Sequence, residues 1–206
     1  GASGAVDTTI GSGEFGYRLG AVFVGAAGPF GLMKVGPDTS HDVEGRSQLF
    51  HCTGYFYPDN QIDGFSHTHP HGTGAVDYGD ILFMPVPEMT AETTTWDTYR
   101  SPFDHANEVS KAGYYAAKLD KGNIFAEVTA SPRGAVHRYT FAPGTEEGAV
   151  LIDASYTLPD CKCDEAQVVI DPENRTVHGY KVARGALSGR YGGYTIYFWA
   201  EFDKDF

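Results

Sequence analysis

The chain has 206 residues, a length that fits one domain, and 27 acidic against 15 basic residues set a formal net charge of −12. A surface so acidic repels phosphate backbones and argues against a nucleic-acid partner, and no apolar run approaches the ~18 residues needed to span a bilayer. With 26 Gly, 13 Tyr and 13 Phe, the composition favours strands and turns over helices.

Gly1-Ala2-Ser3-Gly4 has neither the basic n-region nor the apolar h-region of a signal peptide. Residues 20–36 combine strand-like apolar pieces with glycines where the backbone must turn, and the polar stretch 37–48 reads as a loop. Residues 52–57 read as a strand, 58–64 as a turn and 81–86 as a short buried strand closed by Pro87. One helix candidate lies near 103–111. From Tyr114 onward the punctuation becomes regular: YYAAKL, IFAEVTA, AVHRYTFA, AVLIDASYTL, AQVVID, TVHGYKVARG and YTIYFWAEF are each bounded by Gly, Pro, Asp or Asn. Short runs with turn signals every 8–12 residues predict an all-β fold with few or no helices, an antiparallel sandwich or barrel. Neither face of IYFWAEF is all polar, which predicts a strand covered on both sides.

The most unusual stretch is Gly64-Phe65-Ser66-His67-Thr68-His69-Pro70-His71-Gly72-Thr73-Gly74, followed by Asp77, Tyr78, Gly79 and Asp80. On an extended backbone His67 and His69 would point the same way, and imidazole with carboxylate is a transition-metal ligand set. No third ligand at diagnostic spacing follows, so three readings stay open: a metal site, a polar loop whose histidines bond backbone groups, and a sugar-binding loop in which Gly72, Thr73 and Gly74 let a ligand approach closely. Cys161 and Cys163 lack both the Cys-x-x-Cys spacing and a second pair, and three cysteines with Cys52 do not make a disulfide framework. Asp171-Pro172-Glu173-Asn174 reads as a hairpin turn rather than a calcium loop, and Asn174-Arg175-Thr176 is a glycosylation sequon. Of the two tryptophans, Trp199 reads as core and Trp96, in a Thr-rich segment, as the one exposed to stack on a sugar ring.

VDTTIGSG (6–13), AAGPFGLMKVGPDTS (26–40) and GFSHTHPHGTGAVDYGDILFMP (64–85) resemble the N-terminal domain of glycoside hydrolase family 92, the exo-acting α-mannosidases. The resemblance continues through residues 112–141, LIDAS (151–155), VHGYKVARG and IYFWAEFDKDF, so its blocks run in family order from residue 6 to residue 206. It implies a single β-sandwich domain over 1–206, truncated at its C-terminal edge, that packs against an absent (α/α) barrel. It further implies a calcium-dependent enzyme that inverts the anomeric carbon of mannose-containing glycans, secreted or periplasmic. Inversion needs a general acid and a general base roughly 6.5–9.5 Å apart. In the family these carboxylates and most Ca²⁺ ligands belong to the barrel, so this chain would support the active site without being competent alone.

Carried over by position, the family's pocket loop falls on Gly64, Phe65, Ser66, His67, Thr68, His69, Gly72, Thr73 and Gly74, with Asp77 and Asp80 as its acidic continuation. His71 stands where the family often has a small residue, and Arg133, His137 and Arg138 match Arg and His-Arg positions. The alternative roles are braces: Asp77 and Asp80 accepting backbone N–H bonds, and Arg133, His137 and Arg138 bridging to Glu127 or Asp153. A docked barrel also predicts an exposed apolar patch, with Phe23, Phe30, Phe65 or Trp96 as contributors. The alternative function is a non-catalytic glycan-binding or self-assembling β-sandwich subunit, a homo-oligomer formed by strand addition at an open edge.

Overall fold

The computed structural model describes residues 6–13, 21–47, 50–72 and 74–206. Among them, twelve strands form two antiparallel sheets. The first contains β1 (Ala26–Ala27), β2 (Lys34–Ser40), β3 (Gln61–His67), β4 (Asp80–Val86), β5 (Ser101–Lys111), β6 (Tyr114–Leu119), β7 (Ile124–Ala130), β8 (Ala135–Thr140) and β9 (Ala149–Asp153). Its order is β1-β2-β3-β5-β6-β7-β8, with β4 branching from β3 and carrying β9. The second sheet is β10 (Lys162–Asp171), β11 (Thr176–Arg184) and β12 (Tyr194–Glu201), in that order.

The first sheet folds back on itself. β3 and β5 share only two registered pairs, Gln61 with Pro102 and Ile62 with Ser101, before β5 bulges between Phe103 and Glu108. Bulges bend and twist a strand, and beyond this one β7 lies against β1, β2 and β4. The two layers enclose one apolar core that includes Val35, Ile62, Phe65, Leu82, Met84, Tyr115, Leu119, Ile124 and Val128. Ile124, Ala126 and Val128 alternate inward along β7, the period-2 pattern that a half-buried strand requires.

The regular runs from Tyr114 onward form β6 to β12, and residues 81–86 lie within β4. Several expectations are corrected. The helix candidate at 103–111 is β5: its last residues pair with β6, Lys111 opposite Tyr114, across the two-residue turn Ala112-Gly113, where Gly113 supplies φ +76°. The one α-helix among the described residues is the single turn Trp96–Tyr99. Residues 37–40 and 61–64, read as loop and turn, are halves of β2 and β3. Residues 52–57 are irregular rather than strand, pinned by Thr39 N–H to Gly54 O (2.9 Å) and Phe56 N–H to Thr39 Oγ1 (2.9 Å).

A further correction concerns β12, whose alternate residues Thr195, Tyr197, Trp199 and Glu201 are exposed. Trp199, read as core, is 68% exposed, while Trp96, read as exposed, packs on the core between the guanidinium groups of Arg46 and Arg100. Phe23 and Phe65 are buried, so of the four proposed patch aromatics only Phe30 stands free, at the tip between β1 and β2 with φ +59°.

The second sheet is fastened to the first by a buried ion pair. Lys181, mid-β11, donates from Nζ to Asp80 Oδ1 (2.8 Å) and to Tyr156 O (2.6 Å), and both charged side chains are within 1% of full burial. Asp80, the first residue of β4, also accepts from Thr68 Oγ1 (2.7 Å) and from the Tyr194 hydroxyl (3.0 Å) at the start of β12. Removing one member of such a pair leaves an uncompensated buried charge, a loss of about 3–5 kcal/mol. Lys181→Met is therefore expected to lower unfolding free energy by about that much in urea titrations, and adding Asp80→Asn should recover part of it. Equal or greater loss in the double variant would contradict this role for the pair.

Candidate functional site

The loop that links β3 to β4 begins where Thr68 takes a left-handed backbone, φ +60°. A β-strand would send His67 and His69 to one face; the left-handed residue between them sends the rings to different partners, a correction to the shared-face expectation. His67 Nδ1 lies 2.8 Å from Ile81 O, so it donates there, and its bare Nε2 accepts from His137 Nε2 at 3.0 Å. His137 Nδ1 in turn accepts from the Tyr139 hydroxyl at 2.8 Å. One neutral tautomer of each ring satisfies the whole row. Burial holds both imidazoles below the usual histidine range, His137 the further.

His69 sits in a different setting. Its Nδ1 faces Lys34 O at 2.7 Å and its Nε2 faces Asp38 Oδ1 at 2.7 Å, with Ser66 Oγ at 2.9 Å, so both ring nitrogens are engaged. Ser66 Oγ–H donates to Asp38 Oδ2 at 2.5 Å, and Phe23 stacks on the ring. Gly54 closes this nest: a Cβ there would lie 1.8 Å from Asp38 Oδ1, and its φ of +87° disfavours any other residue.

Two neighbouring carboxylates repeat the arrangement. Asp59 accepts from Thr39 Oγ1 (2.6 Å) and faces His51 Nε2 (2.7 Å). Asp63 accepts from Ser40 Oγ (2.6 Å) with Arg46 Nε at 3.6 Å, and burial pushes its carboxyl up to about 6 against the pull of that guanidinium. Neither Asp38, Asp59, Asp63 nor Lys181 was singled out from the sequence. The available signal was the inward alternation of Val177, Gly179, Lys181 and Ala183 along β11, which puts a lysine on a buried face.

Beyond Pro70 the loop surfaces. Gly64, Phe65, Ser66, His67, Thr68 and His69 are buried, whereas His71, Gly72 and Gly74 are exposed and Thr73 lies outside the described residues. Gly72 and Gly74 have φ of +72° and +61° and no atom within 4 Å of a notional Cβ, so their backbone lies open. The returning limb is braced: Asp77 Oδ2 accepts the N–H groups of Leu187 (2.9 Å) and Ser188 (2.6 Å), and Oδ1 accepts Ser188 Oγ–H (2.8 Å). Asp77 thus joins the loop to the chain after β11 through backbone N–H bonds, and Asp80 joins it to β11 through the Lys181 ammonium and to β12 through the Tyr194 hydroxyl. Arg138 chelates Glu127 (2.5 and 2.6 Å) and Arg133 is exposed.

Among the described residues no three His, Cys, Asp or Glu side chains stand together as a cation site, and the geometry of His67 and His69 offers no shared metal. The cysteines are free; burial raises the Cys161 thiol to about 11, which leaves it unreactive near neutral pH. One open cleft of about 500 Å³ is lined by Gln61, Asp97, Arg100, Pro102, Asp120 and Lys121, but Asp97 is largely exposed and paired with Arg100. The chemistry this arrangement performs is holding: buried carboxylates with fixed partners support an exposed glycine-rich loop tip.

Two expected outcomes follow from these contacts. Gly54→Ala should cost more than the ~1–2 kcal/mol of a left-handed backbone alone, because the new methyl also displaces Asp38 from His69; thermal unfolding would show it. In NMR titrations His137 should change charge well below 6.5, so its share of stability is present above 6.5 and lost as pH falls toward the lowered value. His105, bonded to Glu108 (2.6 Å) and raised chiefly by that bond, should titrate above 6.5, its share present below 6.5 and lost as pH rises through the raised value. A His137 midpoint at or above 6.5 would contradict the buried neutral row.

The whole chain is similar to known enzymes. An α-mannosidase of family GH92 from Bacteroides thetaiotaomicron superposes with a TM-score of 0.83 at 32% identity, over 98% of this chain and 26% of that one. Its complex with mannoimidazole matches equally, with a TM-score of 0.83 at 32% identity over 98% of this chain and 25% of that one. A second enzyme of that organism, titled a family GH92 inverting mannosidase, shares the fold at 24% identity and a TM-score of 0.66, over 85% of this chain and 21% of that one. No curated protein sequence matches the chain. The chain spans about a quarter of the length of these solved relatives. Residues 5–206 match the glycosyl hydrolase family 92 N-terminal domain, and the chain belongs to that family.

Proposed function

We propose that this chain is the active-site-supporting N-terminal domain of a calcium-dependent, inverting exo-α-mannosidase that acts on mannose-containing glycans, and that catalysis needs the enzyme's further (α/α) barrel. The observation that carries the reading is the 98% coverage, at 32% identity, on one quarter of a solved α-mannosidase that has also been captured with mannoimidazole. The distribution of acidic groups supports it. Asp38, Asp59, Asp63, Asp77 and Asp80 are buried and committed to internal partners. A carboxylate locked in that way is a poor general acid or base, since it must exchange its proton with a substrate or a water.

On this reading the exposed tip at His71, Gly72 and Gly74 forms a wall of the mannose pocket, and the buried Ser66, His67, Thr68, His69, Asp77 and Asp80 fix its position from below. Arg133, His137 and Arg138 have supporting roles on β8 and the turn before it. Trp96, held between two guanidinium groups, belongs to the frame rather than to a sugar-stacking surface. Calcium, which would polarise and orient vicinal hydroxyls, finds no cage among the described residues, so no step is assigned to it on this chain. A secreted or periplasmic setting goes with glycan substrates.

The test is to assay the intact protein on an aryl α-mannoside and on α-mannobiose. The expected results are release of β-mannose as the first anomer seen by ¹H NMR, loss of turnover in EGTA and recovery on adding Ca²⁺. Residues 1–206 expressed alone should give no turnover. Absence of mannose release by the intact protein, or retention of the α-anomer, would contradict the proposal.

A further inference from the structure

Bulges re-aim side chains, and the bulge of β5 aims a histidine at two acceptors. His105 Nδ1 lies 2.6 Å from Glu108 Oε2, and Nε2 lies 2.7 Å from Tyr57 O. Both oxygens accept, so a ring that satisfies both carries two N–H groups, which only the imidazolium has. The ring is fixed in place: Tyr57 stacks on it (centroids 4.2 Å, planes 12° apart) and Phe103 meets it edge-on (4.9 Å). Glu108, itself buried, also accepts from the hydroxyls of Tyr55 (3.1 Å) and Tyr115 (2.8 Å), and burial keeps both phenols protonated. The bond to Glu108 is the main cause that holds His105 above the usual histidine range, and the backbone carbonyls of Tyr57 and Asp59 pull the same way. The acidic side chains on the adjoining segments are engaged elsewhere: Asp59 with His51 and Thr39, Asp104 with the N–H of Ala106, and Asp7 with Thr9.

A neutral imidazole has one N–H. When Nδ1 keeps it for Glu108, the bare Nε2 lone pair faces Tyr57 O at 2.7 Å; when Nε2 keeps it, a bare Nδ1 faces Glu108 Oε2 at 2.6 Å. A contact of two acceptors does not hold at such a distance, so loss of the proton drives one of the two pairs apart. Glu108 is anchored by two tyrosines, whereas Tyr57 lies in an irregular segment, so the carbonyl is the group that yields. We propose that His105 is a proton-operated latch: protonated, it ties the bulge of β5 to residues 55–58, and on deprotonation it frees that segment and slackens residues 11–13, which are bonded to it through Tyr57 N–H and Ser12 O (3.0 Å). The latch bears on the base of the loop, because Gly54, which closes the nest of Asp38 and His69, belongs to the same irregular segment. Its hold is present below 6.5 and lost as pH rises through the raised value. It needs no bound ligand and stands apart from the mannosidase reading.

Hydrogen–deuterium exchange on the intact protein tests this, read at single amides from about pH 6 to about pH 9 and expressed against an unstructured chain at each pH. Nitrogen NMR of the ring gives the His105 midpoint on the same material. The expected result is that protection at the Tyr57 and Asp59 amides, bonded to Ser12 O and Phe56 O, falls about tenfold or more as pH rises through that midpoint, while the amides of β7 keep theirs. His105→Gln carries no titratable ring, so its two reporter amides should stay weakly protected at every pH, without a step. Unchanged protection through the midpoint, or the same step in His105→Gln, would overturn the proposal. The unsubstituted protein also decides alone should that variant not fold. Above the midpoint its ring nitrogens should show the Nδ1–H tautomer and its Tyr57 carbonyl carbon a displaced shift; an Nε2–H tautomer or an unmoved carbonyl would contradict the latch.

Discussion

A charge cannot be left alone in a protein interior, and the pairing of Lys181 with Asp80 is the consequence on which this molecule's architecture depends. Asp80 starts β4 and Lys181 lies mid-β11, 101 residues later, so satisfying the two charges brings the second sheet to the end of the β3–β4 loop. Tyr194 and Thr68 complete the carboxylate's shell, which draws β12 and the loop's first turn to the same point. Hydrophobic burial alone would tolerate sliding between layers; a buried ion pair with fixed hydrogen bonds does not.

The same logic recurs beneath the loop. Asp38 with His69, Asp59 with His51 and Asp63 with Arg46 place acidic side chains of β2, of the long connection from β2 to β3 and of β3 in the interior, each beside a basic partner. Their effect is to hold residues 64–69 rigidly while the next few residues emerge with open glycine backbone. On the proposed function, a loop held on such a base would lose little entropy when a ligand binds.

The all-β class and β6 to β12 were legible because their apolar and polar residues alternate between clear turn signals. Glycine and aromatic content pointed the same way. What was not legible traces largely to one cause: polar residues were read as exposed. Asp38, Thr39 and Ser40 looked like loop and are buried strand; Asp63 looked like turn and is mid-β3. Periodicity cannot reveal a carboxylate whose partner lies 31 residues away, as for Asp38 and His69, or 101 away, as for Asp80 and Lys181. The two tryptophans exchanged places for a related reason: Trp96 gains cation–π partners that are invisible in sequence, while Trp199 follows strand alternation onto an open face. Within 64–80 the motif spans the end of β3, Gly64 to His67, and the connection to β4; only Thr68's left-handed backbone separates the two histidines, and no residue-type preference signals that at a threonine.

The central claim is that a braced loop tip forms a wall of a mannose pocket completed by another part of the enzyme. The most direct measurement is a structure of the intact protein bound to a mannose-shaped inhibitor. The account predicts ligand atoms within about 4 Å of the backbone or side chains of residues 71–74, the usual contact distance, with the Asp80–Lys181 pair intact behind them. A ligand bound elsewhere, with residues 71–74 facing open solvent, would contradict it.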